Sequence, residues 1–237
     1  MRRAALFFLF SVAVLAGGAA TARPRAAAHP PVLVELFTSQ GCSSCVKSGA
    51  LISAIDQRAH VLALTFAVDY WDYLGWRDTL AKPEFTDRQR LYMRALALRD
   101  VFTPQVVVDG RLQAAAVDQA TIDKLIKEAQ REAGPAPTTV IAKGRLTVGS
   151  GPAPTGGAVV WLVRYRPGDV AVRVLAGDNR GQTVVEHNVV RELTRLGLWR
   201  GRMASYHLPA AASNDDLKTV VILQGARTGR VLALARG

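Results

Sequence analysis

Two cysteines, Cys42 and Cys45, stand two residues apart in Cys42-Ser43-Ser44-Cys45 and are the only thiols in the 237-residue chain. Three chemistries use that spacing: a redox pair, a structural disulfide, or half of a metal clip. The four histidines, His29, His60, His187 and His207, are far from the pair in sequence, and the three methionines are scattered. A structural zinc site takes four ligands, so a metal would need a distant histidine or a second chain. That leaves the metal reading minor. A disulfide gains stability mainly by closing a long loop, and this one would close a minimal loop. The spacing therefore favours exchange chemistry over a staple without excluding the staple.

The elements around the pair set its reactivity. Pro31 to Phe37 is a short apolar run of strand type, ended by the turn formers Thr38-Ser39-Gln40-Gly41. Val46, Leu51, Ala54 and Ile55 then recur at helical spacing up to about Arg58. Cys42 is thus expected in the first turn of a helix, where unpaired N–H groups and the helix dipole stabilise a thiolate. Val61 to Val68 reads as a second buried strand, followed by an aromatic loop, Asp69-Tyr70-Trp71-Asp72-Tyr73-Leu74-Gly75-Trp76. A helix from about Glu84 to Leu98 follows, with Phe85, Leu91, Tyr92, Ala95 and Leu96 on one side. Next come Thr103-Pro104, a strand Gln105–Asp109, a turn at Asp109-Gly110, and a partner strand to about Ala116. Asp118 is a good N-cap for a last helix that ends at Gly134-Pro135. The order is β-α-β-α-β-β-α, with the first two strands parallel and the last two a hairpin.

The aromatic loop has two readings. Trp71, Tyr73 and Trp76 would wall a substrate site beside the cysteines, with Asp69 and Asp72 fixing the loop. Alternatively they form a satellite core, which is slightly favoured because so many aromatics cannot all face water cheaply.

At the N-terminus, Met1-Arg2-Arg3 is a basic start, Ala4 to Ala16 is almost wholly apolar, and Ala20-Thr21-Ala22 fits a small-residue cleavage pattern. Residues 1–22 are therefore expected to be a signal peptide, and the mature chain to be exported, periplasmic or secreted. An oxidising compartment lets a disulfide persist. Composition adds exclusions. With 49% apolar and 21% charged residues, the chain is neither disordered nor collagen-like, and two cysteines rule out a four-cysteine zinc finger.

After Gly134-Pro135-Ala136-Pro137 the texture changes to short β-rich runs separated by Gly, Pro and Asn turns. Expected strands are 139–148, 158–166, 170–176, 182–191, 200–208, 218–224 and 231–234, which suggest an antiparallel β-sandwich. The expected organisation is an α/β domain over 23–134, a linker at 135–138 and an all-β sandwich over 139–237. The formal net charge is +11, and residues 138–237 carry +8 of it against +1 for 23–137. That excess would suit weak association with an anionic envelope surface. Dispersed arginines on an ordinary solvated surface are favoured about two to one, since no basic run appears. Nucleic acid is not expected. His187 and His207 read as ordinary strand positions.

The element order, the Cys-x-x-Cys at a helix start and Thr103-Pro104 before the third strand resemble the thioredoxin fold. The resemblance implies a cis Thr103–Pro104 peptide facing the cysteines, with the backbone before the proline pairing to a bound substrate strand. It also implies that Glu35, seven residues before Cys42, is the buried acid that assists Cys45. A narrower resemblance lies in Val34-Glu35-Leu36-Phe37-Thr38-Ser39-Gln40-Gly41-Cys42-Ser43-Ser44-Cys45, Val68 to Trp76, Phe102-Thr103-Pro104-Gln105, and Asp178-Asn179 to Leu196-Gly197. These phrases are similar to the exported bacterial family called domain of unknown function 1223, over nearly the whole mature chain. That family usually continues the second cysteine with Pro-Pro-Ala-Asp, whereas this chain has Val46-Lys47-Ser48-Gly49. Loss of the proline and a glycine inside the helix should loosen its first turns. Lys47 would place a cation near the thiolate.

The functional expectation is thiol–disulfide exchange with a protein client and no cofactor. Cys42 attacks and Cys45 resolves, with Glu35 as proton acceptor. Pro104 and Thr103 shape the client groove, beside Trp71, Tyr73 and Trp76. The alternatives are a binding module with a permanent disulfide, or a thiol carrier handling copper or haem.

Overall fold

The computed structural model describes residues 31–212 and 216–237. The expected signal peptide at 1–22 and His29 lie outside the described residues. The chain forms a mixed α/β structure with one large, mostly antiparallel sheet and few helices.

Strand β1 (Val32–Thr38) is buried on both faces, as its continuous apolar run requires. It pairs in parallel with β2 (Val61–Ala67) and antiparallel with β3 (Gln105–Val108), which turns at Asp109-Gly110 into β4 (Leu112–Ala115). Both turn residues have positive φ, 46° and 67°, as a tight hairpin demands. Gly110 has a second reason to lack a side chain, because a Cβ there would meet the Gly229 carbonyl oxygen at 1.9 Å.

Three helices cover this part. Helix α1 (Ser48–Asp56) and α3 (Gln119–Arg131) bury Ile52, Ile55, Ile122, Ile126 and Ala129 against Val34, Leu36 and Ala63 on one face. Helix α2 (Pro83–Ala95), opened by proline at its first position, buries Phe85 and Tyr92 with Leu33, Phe37 and Phe66 on the other. As expected, Asp118 caps α3, accepting the Thr121 N–H at 2.8 Å.

The second half differs from the expected free-standing sandwich. Its long strands β7 (Ala158–Arg173) and β8 (Thr183–Trp199), with β10 (Lys218–Gly225) and β11 (Val231–Arg236), continue the first sheet. The order is β11-β10-β7-β8-β2-β1-β3-β4, with β8 joined to β2 in parallel at Val189 and Thr65. The expected strands 158–166 and 170–176 are one bulged strand, because both halves pair with β8 across the irregularity. The expected run 139–148 is a hairpin, β5 (Thr139–Ala142) and β6 (Arg145–Val148), which with β9 (Ala204–His207) makes a separate three-stranded sheet.

One apolar cluster joins the small sheet to the large one. Leu146, Val148 and Trp199 pack with Val221, Leu223, Ala233 and Ala235, while Val220 and Ile222 turn to the α2 face. Alternation along β10 thus serves two cores at once. Residues 135–138 separate two sequence textures, yet the hydrogen-bonded sheet runs across both.

Candidate functional site

The cysteine pair lies just past the C-terminal end of β1. The turn Ser39-Gln40-Gly41 is closed by the Cys42 N–H donating to the Ser39 carbonyl at 3.1 Å. Cys42 is extended, and Ser43–Cys45 forms one 3-10 turn. The α-helix proper begins only at Ser48, so the pair precedes α1 rather than occupying its first turn. The local reason is visible: Ser48 Oγ donates to the Cys45 carbonyl at 2.7 Å, and no proline presets the turn. Cys42 and Cys45 form a disulfide with Cα atoms 5.3 Å apart, and both residues are buried.

Three loops converge on this turn. From the segment before β3, the Thr103 carbonyl lies 3.5 Å from Ser44 Oγ, which is itself 3.3 Å from Cys42 Sγ. The Thr103–Pro104 peptide is cis. Trp71 Nε1 donates to Thr103 Oγ1 at 2.7 Å. Gln89 of α2 holds the same segment through the Phe102 carbonyl at 2.8 Å. From the loop after β2, Trp71 stacks on Tyr73 with ring centroids 6.3 Å apart, and Tyr73 is exposed. Trp76 Nε1 instead donates to Gln40 Oε1 at 2.9 Å, so it braces the turn rather than facing outward.

The buried Asp78 carboxylate accepts from the N–H groups of Gln40 (2.7 Å), Leu80 (2.8 Å) and Ala81 (3.1 Å). Burial raises its pKa more than these bonds lower it. The third loop, between β7 and β8, supplies Asn179. Its side-chain amide donates to the carbonyls of both Gln40 (2.8 Å) and Cys42 (3.0 Å).

Glu35 is placed differently from the expectation. On β1 it alternates with Val34 and Leu36, which face α1, and so it points toward α2. Its Oε1 accepts from Arg88 Nε at 2.6 Å and its Oε2 from the Tyr92 hydroxyl. Arg88 and Gln224 also bond the Tyr92 oxygen, at 3.0 and 2.9 Å. Both carboxylate oxygens are therefore taken by a closed network inside the α2-side core, and none of its bonds reaches the cysteines.

At the start of α1 the backbone of β8 comes close at Val185 and Glu186. A Cβ on Gly49 would meet the Val185 carbonyl oxygen at 1.7 Å and Glu186 Cα at 3.2 Å. The glycine expected to loosen the helix is the residue that lets β8 approach it. Glu186 is only 2% exposed, and among the described residues neither carboxylate oxygen has a hydrogen-bond partner. Burial, with Asp78 adding to it, pushes its carboxyl up to about 8. Glu186 lies 141 residues from Cys45 in sequence, which is why sequence reasoning missed it. Asn179 did carry a signal, since it falls within a family-like phrase.

Lys47 is exposed just before α1, and His187 bridges Asp169 (2.5 Å) and Asp56 (3.3 Å) instead of standing as a plain strand residue. Among the described residues there is no group of three His, Cys, Asp or Glu side chains placed to hold a metal. A cavity of about 760 Å³ opens between α3, residues 152–154 and β11, at the opposite end of β1 from the cysteines.

These features define a mixed α/β protein with a disulfide-bonded Cys-x-x-Cys pair at a helix start. The chain belongs to the family described as "protein of unknown function (DUF1223)", whose model matches residues 33–224. A crystal structure of a protein from Agrobacterium tumefaciens is similar at 30% identity and a TM-score of 0.72, covering 89% of this chain and 95% of that one. The structure titled HBP35 of Porphyromonas gingivalis shares the fold at 12% identity, with a TM-score of 0.57 over 88% of this chain and 75% of that one. No curated protein matches.

Proposed function

We propose that this is an exported thiol–disulfide exchange protein whose residues 32–131 form a thioredoxin-like unit extended by the C-terminal strands. The observation that carries the reading is the disulfide at the entrance to α1, set against the Thr103–Pro104 segment across Ser44. A disulfide between residues three apart adds little loop-closure stability, so its placement suits turnover better than stapling. The partner is a protein thiol or disulfide client lying along Thr103–Pro104, with Trp71 and the exposed Tyr73 as its wall. Residues 1–22 act as the export signal, and the basic C-terminal half faces the anionic envelope.

In exchange, a client thiolate attacks Cys42 Sγ, the Sγ–Sγ bond breaks, and Cys45 leaves as a thiolate that takes up a proton. A second client thiolate attacks the client sulfur of the mixed disulfide and releases Cys42. The client loses two electrons and becomes a disulfide, and the pair becomes a dithiol.

A redox titration of the pair, read by thiol trapping and mass, tests this. The expected midpoint lies between about −120 and −270 mV, and Cys45→Ser should trap clients through Cys42 while Cys42→Ser traps none. A midpoint below about −300 mV with an unreactive Cys42 would sink exchange and leave a module carrying a permanent disulfide.

A further inference from the structure

The exchange reading lacks a proton partner for Cys45, because both oxygens of Glu35 are engaged by Arg88 and Tyr92. One other buried carboxyl stands at this end of the molecule without a bond to its name. Glu186 lies on β8 where the Val185–Glu186 backbone touches Gly49, one helical turn after Cys45. On that same turn the buried hydroxyls of Thr38 and Ser48 lie 3.3 Å apart, and Ser48 bonds the Cys45 carbonyl. A buried carboxyl with no hydrogen bond and no cation is costly to keep ionised, so it holds its proton ready for a base.

Resting on the exchange reading, we propose that Glu186 is the proton store of the Cys42–Cys45 pair. Its carboxyl gives a proton to the Cys45 thiolate when the disulfide opens, and its carboxylate takes that proton back when the disulfide re-forms. Opening thus leaves Glu186 as the carboxylate while the attacking client thiol has given its own proton to solvent, and re-forming the disulfide restores the carboxyl, so protons balance over the full exchange. Its raised affinity for a proton, near the ordinary cysteine range of ~8.5, matches donor to acceptor.

The charged groups on the elements packed against β8 are few. Asp78, from the loop before α2, repels a charge on Glu186. Lys47 precedes α1 and is exposed. Asp56 at the far end of α1 and Asp169 on β7 are bonded to His187, and Arg173 on β7 is exposed.

The test uses the reduced full-length chain and a chromogenic nitrobenzoate disulfide. Attack by Cys42 releases a first nitrobenzoate thiolate, and attack by Cys45 on the mixed disulfide releases a second. In Glu186→Gln, which matches the protonated carboxyl in shape, the first release should be unchanged. The second should slow by about 10²-fold at pH 7, the low end of what a positioned acid or base contributes. Glu186→Asp, which keeps the acid, should recover part of that loss. The Glu186 carboxyl carbon, followed by NMR, should also titrate at a different pH in the dithiol than in the disulfide. A second release within about twofold of wild type in Glu186→Gln, with a titration indifferent to redox state, overturns the role of Glu186 while exchange stands. No first release from the wild-type chain is the failure of exchange itself, and it takes this proposal with it.

Discussion

Among the described residues two glutamates are buried, Glu35 and Glu186, and their surroundings are opposite. Glu35 sits among Arg88, Tyr92 and Gln224, with Arg88 lying over Phe66, Tyr92 and Trp161 at 5.2–5.7 Å from the ring centroids. Its charge is matched and each carboxylate oxygen accepts from one donor. Glu186 has no donor and has Asp78 for a charged neighbour. The first arrangement suits a permanent ion pair that ties β1 to α2 and β10. The second suits a group that changes its protonation. A buried carboxyl is therefore structural or functional according to its partners, whatever its distance in sequence from the reactive pair.

The largest effect should come from unbalancing the matched pair. Arg88→Ala leaves Glu35 buried without a cation, and urea unfolding should show a loss of about 3–5 kcal/mol. Replacing both partners, Glu35→Gln with Arg88→Met, should restore most of it. A small cost for the single change would erase the contrast with Glu186.

The unmatched acid predicts a pH dependence. Its folded-state pKa of about 8 lies above the ordinary unfolded value near 4.3. The folded chain thus holds a proton that the unfolded chain releases between those values. Its contribution is fully present below about pH 4.3 and falls by about 1.4 kcal/mol per pH unit, levelling off beyond pH 8. Glu186→Gln should remove this slope, gaining up to about 4 kcal/mol over wild type between pH 5 and 8. Parallel stability–pH curves for the two proteins would contradict the assignment.

Gly49→Ala sharpens the comparison from the side of the backbone. The new methyl collides with the Val185 carbonyl and should push β8 off α1, costing about 1–3 kcal/mol. Water admitted beside Glu186 should then lower its titration toward the ordinary carboxyl range, whereas the Glu35 network should be untouched. A smaller loss is expected from Asn179→Ala, which removes two bonds to the Gln40 and Cys42 carbonyls. About 1–2 kcal/mol, with a shift in the redox midpoint, would mark this loop as part of the site.

Much of the site was legible in the chain. The Cys-x-x-Cys spacing, the strand before it, the aromatic loop and Thr103-Pro104 are local signals, and the structure brings these segments to one end of the sheet. The capped α3 and the Asp109-Gly110 hairpin follow from the same short-range rules. Glu35 was misassigned because nearness in sequence says nothing about which face of β1 its side chain takes relative to the cysteines. The bracing by Trp76 and Asn179, and the approach of Glu186 through Gly49, join residues up to 139 positions apart.

Residue types and their periods determined which stretches are extended or helical and where the cysteine pair sits. They also marked the change of texture near residue 135. Tertiary structure alone decided that the second half would extend the first sheet, since β8 joins β2 along the edge that β1 leaves unpaired. It likewise decided which buried acid is paired with a cation and which is left without a donor. Local patterns encode dihedral preference and burial, but charge pairing depends on what the completed fold places within a few ångströms.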